Sequence, residues 1–166
     1  YLRHMDITDA AFQHMPNLVK LHFDGCQNIG DSAIQCLTKL RFLKMQNISW
    51  NSQLSDEAFV NSKELEELHL PRVYEQDHYQ FTEKLFKYLP NLKRLFLVNS
   101  SLLGGVWQPL ERLEWSEPFH KGAHVLCNLR VKEIVFEKEN YNFLTPADLR
   151  FLVLNGLEEL SFIMDE

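Results

Sequence analysis

Residues 18–40, LVKLHFDGCQNIGDSAIQCLTKL, contain two patterns that together decide the fold. Residues 18–23 follow the pattern L-x-x-L-x-L, in which polar and apolar residues alternate over the last four positions. A period of two predicts a strand with one buried face. Residues 29–40 place Ala33, Ile34 and Leu37 on one side of a helix. The stretch therefore predicts a strand followed by a short amphipathic helix.

The helical pattern occurs four times, at residues 7–18, 29–40, 54–65 and 81–92. Each copy has a capping residue at its second position and an acidic residue at its third: Thr8–Asp9, Gly30–Asp31, Ser55–Asp56 and Thr82–Glu83. A hydroxyl can accept an orphan N–H at a helix start, and a carboxylate is favoured near the positive end of the helix dipole. In the first copy we expect Ala11, Phe12 and Met15 to be buried. In the third and fourth copies we expect the same of Ala58 and Phe59, and of Leu85, Phe86 and Leu89. A further helix is predicted to begin at Pro146, capped by Thr145, and to end before Gly156.

The strand pattern occurs eight times, at residues 2–7, 18–23, 40–45, 65–70, 92–97, 110–115, 131–136 and 157–162. Most successive starts are 20 to 29 residues apart, which is the spacing of leucine-rich repeats. One strand with one helix cannot bury its own apolar side, so neighbouring units must stack. We predict an α/β fold: a leucine-rich-repeat solenoid, or horseshoe, with a concave parallel sheet and convex helices.

Composition limits the possible partners and compartments. The chain has 166 residues, 45% hydrophobic and 24% charged, with a net charge of −6, and no apolar run approaches the length of a membrane span. Because it also lacks a block of Lys and Arg, we expect neither nucleic acid nor membrane as a partner. Three cysteines without C-x-x-C spacing favour a cytoplasmic or nuclear protein. Sequons at Asn47 and Asn99 leave a secreted protein as the alternative.

The second repeat resembles the cysteine-containing leucine-rich repeat, L-x-x-L-x-L-x-x-C-x-x-I-T-D-x-G-L-x-x-L. The matching residues are Leu18, Leu21, Phe23, Cys26, Ile29, Asp31, Ala33, Ile34 and Leu37. This repeat is typical of F-box/leucine-rich-repeat proteins, the substrate receptors of cullin-based ubiquitin ligases. The other repeats lack the Cys, and residues 1–166 contain no F-box.

The resemblance implies a non-catalytic module that recognises a protein in the ubiquitin conjugation pathway. Residues 1–166 would be the leucine-rich-repeat domain of a longer protein, with an F-box upstream that binds the cullin-ligase adaptor. The alternative is a leucine-rich-repeat scaffold or assembly factor with no link to a ubiquitin ligase, because fold likeness alone does not determine function.

Residues that could carry chemistry give no catalytic pattern. We expect Cys26 to be a buried structural thiol, as its repeat position implies. His120, His124 and Cys127 could lie on one helical face, but they lack a fourth ligand for zinc. Paired carboxylates such as Glu66–Glu67 are expected to be solvated surface charges. We therefore predict no enzyme activity, no metal and no cofactor.

The concave face of the sheet is the predicted binding surface. Strand alternation directs a set of basic and aromatic side chains toward it: Lys20, His22, Phe42, Lys44, His69, Arg94 and Phe96. Exposed Phe42 and Phe96 would be costly unless a partner covered them, although a one-residue bulge would reverse their direction. The last strands carry mainly acidic residues there.

Long aromatic connections should lie on the rim beside this face. They follow the third to fifth strands and contain Trp50, Tyr74, Tyr79 and Trp107. Insertions at the same point of consecutive repeats emerge on one rim, so these rings would gather near Phe42 and Phe96. We predict that Trp50, Tyr74 and Tyr79 bind the protein ligand. In the alternative, the tryptophans fold back and fill irregular turns.

Overall fold

The computed structural model describes residues 1–3, 7–26, 28–47, 54–70, 81–97, 108–115, 129–137 and 146–163. Eight short strands and five short helical segments form an α/β architecture in this part of the chain. The strands are β1 (Leu2–Arg3), β2 (Lys20–Asp24), β3 (Phe42–Gln46), β4 (Glu67–His69), β5 (Arg94–Leu97), β6 (Leu110–Trp115), β7 (Val131–Glu137) and β8 (Glu159–Ile163). The helical segments are α1 (Asp9–Phe12), α2 (Asp31–Gln35), the 3₁₀ helices η1 (Asp56–Phe59) and η2 (Glu83–Tyr88), and α3 (Pro146–Leu154).

All eight strands form one sheet in chain order, and each strand is parallel to the next. The predicted side-by-side placement of residues 18–23, 40–45 and 65–70 is therefore confirmed. Each strand pairs with its chain neighbours, as in a repeat protein whose units stack in one direction. The order is compatible with a solenoid-like arrangement.

One row of apolar side chains crosses the sheet and forms the centre of the core. The strand register aligns Leu21, Leu43, Leu68, Leu95, Leu113, Ile134 and Leu160. All but the half-buried Leu160 are buried. Phe12, Ile34, Phe59 and Phe86 from the helical segments belong to the same cluster. Burying a Leu or Phe side chain contributes about 1.5–3 kcal/mol, so this shared core holds the helical segments against one side of the sheet.

The helical segments are shorter than the sequence pattern predicts. α1 has four residues and α2 has five, and the third and fourth copies of the pattern form 3₁₀ rather than α-helix. Because α1 ends at Phe12, Met15 is not on its buried face. Met15 is 39% exposed, so the prediction that it is buried was wrong. The apolar residues predicted to be buried in the other three copies do lie in the core: Ala33, Ile34, Leu37, Ala58, Phe59, Leu85, Phe86 and Leu89.

Acidic residues at the starts of the helical segments connect each unit to the next. Asp9 accepts hydrogen bonds from the Gly30 N–H (2.7 Å) and the Ser32 hydroxyl (2.6 Å). Asp31 accepts from the N–H and hydroxyl of Ser55, at 2.7 and 2.6 Å. These bonds satisfy orphan groups at the start of the following segment. The carboxylates thus act across units, in addition to the predicted dipole effect.

The same arrangement joins the third and fourth units. Asp56 accepts from the N–H and hydroxyl of Thr82, at 2.7 and 2.5 Å. The Thr82 hydroxyl oxygen in turn accepts from the Lys84 N–H at 3.2 Å, so the predicted cap is confirmed. Glu83, at the corresponding position of the fourth unit, is exposed, and within the described ranges its side chain makes no such bond. We call these three connections the aspartate ladder, and Asp56 is its last member among the residues that the structure describes.

The last helix begins and ends where the sequence predicts. α3 starts at Pro146, while its predicted cap Thr145 lies outside the described residues. Gly156 has φ +96°. The Leu157 N–H donates to Leu152 O (3.0 Å) and the Gly156 N–H to Val153 O (3.1 Å), which is the Schellman termination. Across the described ranges, no helix has the length and apolar character required to cross a bilayer.

Candidate functional site

The side of the sheet opposite the core row carries the candidate site, and we call it the open face. Its first row of side chains, aligned by the strand register, is Lys20, Phe42, Glu67, Arg94, Arg112, Glu133 and Glu159. Its second row is His22, Lys44, His69, Phe96, Glu114, Val135 and Ser161. These side chains are half-buried or exposed, apart from the buried Val135. The sheet therefore has one apolar, packed side and one largely polar, accessible side.

The structure brings seven of the ten predicted binding residues together on four adjacent strands. Lys20 and His22 lie on β2, Phe42 and Lys44 on β3, His69 on β4, and Arg94 and Phe96 on β5. The continuous register from β2 to β5 contains no bulge that would reverse Phe42 or Phe96. The remaining three, Trp50, Tyr74 and Tyr79, lie outside the described residues, as does Trp107. Protein binding by all ten stays a prediction.

Three rings form a stack across the middle of the open face. The ring of His69 is stacked on that of Phe96, with centroids 3.5 Å apart and planes 9° from parallel. Its centroid is 5.3 Å from that of Phe42, with the planes inclined by 52°. Both phenylalanines are consequently half-buried, whereas the sequence led us to expect bare rings. We call Phe42, His69 and Phe96 the aromatic stack.

His69 is held in place by a carboxylate on its own strand. Its Nε2 lies 2.7 Å from Glu67 Oε1. Burial is the main cause that lowers the pKa of His69 from its usual 6.5, and the charges of Lys44 and His22 act in the same direction against the hydrogen bond and charge of Glu67. A carboxylate only accepts hydrogen bonds, so the neutral imidazole carries its proton on Nε2. His69 is therefore a neutral ring that donates to Glu67 and covers two phenylalanines.

Two groups of ion pairs hold the arginine side chains of the open face in place. Arg94 NH1 lies 3.2 Å from Glu67 Oε2, so Glu67 binds both His69 and Arg94. Arg112 pairs with Glu133 (2.7 Å) and Glu114 (3.2 Å). Neither Glu67 nor Arg112 was among the binding residues predicted from the sequence. The sequence signal that could have found them is opposite charge at equivalent positions of neighbouring strands: Glu67 with Arg94, and Arg112 with Glu133.

A shallow groove of about 260 Å³ runs along the edge where these strands begin. Glu66 bridges Arg41 and Lys93 there, and the Lys93 hydrogen bond is the main cause that lowers the pKa of the Glu66 carboxyl. Val19 and Phe42 add apolar surface to the groove lining. Glu66 and Glu67 are thus ion-paired as well as partly solvated, and Glu67 is the more buried of the two, with 20% of its side chain exposed.

Groups suited to chemistry are sparse in the described part of the chain. No set of three His, Cys, Asp or Glu side chains is placed there to hold a metal ion. Cys26 is fully buried, with its Sγ 4.0 Å from Leu2 O and Asp24 O, as its repeat position predicts. His120, His124 and Cys127 lie outside the described residues.

Comparison of the chain with protein-family models finds no match, and comparison with curated proteins finds none either. Any functional assignment therefore depends on the repeat pattern and on the geometry of the open face.

Proposed function

We propose that this chain is a leucine-rich-repeat horseshoe and that its open face is the concave surface that binds another protein. The strand order supports the proposal, since units of one strand and one helical segment follow one another across the sheet. The shared apolar row and the aspartate ladder connect the units as a repeat array requires. In this role the chain is a non-catalytic recognition module.

The aromatic stack is the observation that carries the proposal. It places two phenylalanine rings beside Arg94 and Lys44 on an accessible face, held by the Glu67 hydrogen bonds. Aromatic and Arg side chains commonly contribute about 2 kcal/mol or more each at the centre of protein interfaces. Because contacts within the protein already fix the rings, little side-chain entropy would be lost on binding.

The resemblance of residues 18–40 to the cysteine-containing repeat favours a role as the substrate-binding region of an F-box-type receptor. The partner would then be a protein destined for ubiquitination, and a region outside this chain would bind the cullin adaptor. A scaffold or assembly factor is the other candidate. Co-purification of the full-length protein with a cullin adaptor separates the two, because only a receptor would retain the adaptor after salt washing.

A paired-variant experiment tests protein binding by the open face. Full-length protein carrying Phe42→Ala and Phe96→Ala is compared with wild type by quantitative affinity purification from cells. The control carries Phe151→Ala and Val153→Ala on α3. These two apolar residues are 40% and 62% exposed and lie away from the open face. Proteins recovered with wild type should fall at least fivefold with the open-face variant and less than twofold with the control. Equal recovery with all three would refute the proposal.

A further inference from the structure

The charges of the open face are unevenly distributed along the sheet. On β2 and β3 the face positions Lys20, His22, Phe42 and Lys44 carry no carboxylate. Asp24, at the end of β2 on the same side, is buried and accepts hydrogen bonds from Tyr1 and Asn47. On β6 to β8 the face positions include three glutamates and one arginine: Glu114, Glu133, Glu159 and Arg112. The open face therefore has a basic end and an acidic end, and an acidic ligand is favoured at the basic end.

The two lysines of the basic end differ from the arginines of the face. Arg94 and Arg112 are both in ion pairs with glutamates. Lys20 and Lys44 take part in none of the ion pairs that the described ranges contain. Lys44 is half-buried before any partner binds. A partner that covered Phe42 would bury Lys44 further, which is costly unless the partner supplies an anion.

The geometry places both cations next to one ring, in two different directions. Lys20 is opposite Phe42 in the register, and Lys44 is two residues beyond Phe42 on the same strand. Neighbouring strands are about 4.8 Å apart, and alternate residues of one strand are about 6.6 Å apart. One short extended segment can therefore place a carboxylate near each lysine and an apolar side chain on Phe42.

The chemistry of the cations favours carboxylate over phosphate. Arginine binds phosphate with two parallel hydrogen bonds, but Arg94 and Arg112 already bind glutamates. The cations that remain are two lysines, which act as point charges. With a net charge of −6 and no basic block, the chain is also a poor match for a polyanion such as nucleic acid.

Resting on the proposed role of the open face, we propose that its ligand is an acidic protein segment. Asp or Glu side chains of that segment bind Lys20 and Lys44, and a neighbouring apolar side chain packs on Phe42. The segment lies over β2 and β3, away from the glutamates of β6 to β8.

A displayed library of random 12-residue peptides tests the inference on the purified chain. Selection is carried out on wild type, on Lys20→Glu with Lys44→Glu, and on Lys84→Glu with Lys87→Glu. The last variant makes the same charge change on exposed residues of η2. Peptides enriched on wild type and on the η2 variant should contain Asp and Glu at twice their input frequency or more. Synthetic copies should bind the Lys20/Lys44 variant at least tenfold more weakly in fluorescence anisotropy.

Each of the following outcomes would overturn the inference. An enriched pool that is neutral or basic, or one whose acidic preference persists with Lys20→Glu and Lys44→Glu, would show that these lysines do not select the ligand. Tenfold tighter binding after replacement of Glu by phosphoserine would assign a phosphorylated segment instead. A neutral pool whose binding is lost with Phe42→Ala would refute the charge inference alone. Peptide binding that no open-face variant weakens would also refute the proposed function.

Discussion

Replacing Asp56 by Ala should destabilise the chain far more than replacing Glu83 by Ala, although both residues follow the cap of a 3₁₀ helix. Asp56 is 8% exposed and accepts two hydrogen bonds from Thr82 of the next unit. Glu83 has the equivalent place in the following unit, is exposed, and within the described ranges makes no cross-unit bond. The difference between the two variants therefore isolates the last connection of the aspartate ladder.

The magnitude follows from the two bonds. A hydrogen bond to a charged group contributes about 1.5–3 kcal/mol to folding. In Asp56→Ala the Thr82 N–H and hydroxyl lose their acceptor, but Thr82 is exposed, so water can replace part of the interaction. We expect a loss of about 3 kcal/mol, against about 0.5 kcal/mol or less for a surface change such as Glu83→Ala. Asp56→Asn should fall between them, because an amide oxygen can still accept one bond.

Urea unfolding followed by circular dichroism measures the effect. Free energies are compared only if the variants share the wild-type dependence on urea. A changed slope would mean that the surface exposed on unfolding has changed or that unfolding no longer occurs in one step. Losses for Asp56→Ala and Glu83→Ala that agree within 0.5 kcal/mol would refute the reasoning. The cross-unit hydrogen bonds would then contribute nothing beyond the helix dipole.

Three further predictions concern the aromatic stack and the last helix. Phe42→Ala should lower the free energy of unfolding in urea by about 1 kcal/mol, because Phe42 is half-buried. Phe59 is fully buried in the core, so Phe59→Ala should lower it by about 3–5 kcal/mol. Equal losses would place Phe42 in the core. His69 has a pKa lowered from 6.5, so its neutral form stabilises the fold above pH 6.5 and this contribution is lost as the pH falls through the folded pKa. His69→Phe should flatten the acid limb of thermal stability, and an NMR midpoint at or above 6.5 for His69 would contradict the assignment. Gly156→Ala should cost about 1 kcal/mol although no atom would lie within 4 Å of the new Cβ, because φ is +96°; an unchanged melting temperature would exclude this backbone cost.

The strands were predictable because their signal is local. Alternation in L-x-x-L-x-L fixes which residues face the core, and this gave all eight strands and the direction of Phe42 and Phe96. The length of the helical segments was less predictable. Residues 7–18 have a helical pattern, yet α1 stops at Phe12, because a capped start does not fix where a helix ends. The position of Met15 was wrong for this reason.

The site was only partly predictable because its contacts join distant residues. The stacking of His69 on Phe96 depends on a register between residues 27 positions apart, and no local pattern encodes the ring orientation. Asp31 and Asp56 were interpreted through the helix dipole, a local rule, whereas their main partners belong to the next unit. Trp50, Tyr74 and Tyr79 are still predictions from sequence.

The pairing of each strand with its chain neighbours has an evolutionary consequence. Duplication or deletion of a whole unit would shift everything beyond it by one strand spacing while recreating the same kinds of contact at the junction. A single residue inserted before Leu43 in β3 would instead move Leu43 to the open face and place a polar neighbour in the core row. Such a chain can therefore lengthen by duplication of whole repeats with its core intact, whereas insertion or deletion of one codon within a strand disrupts the core.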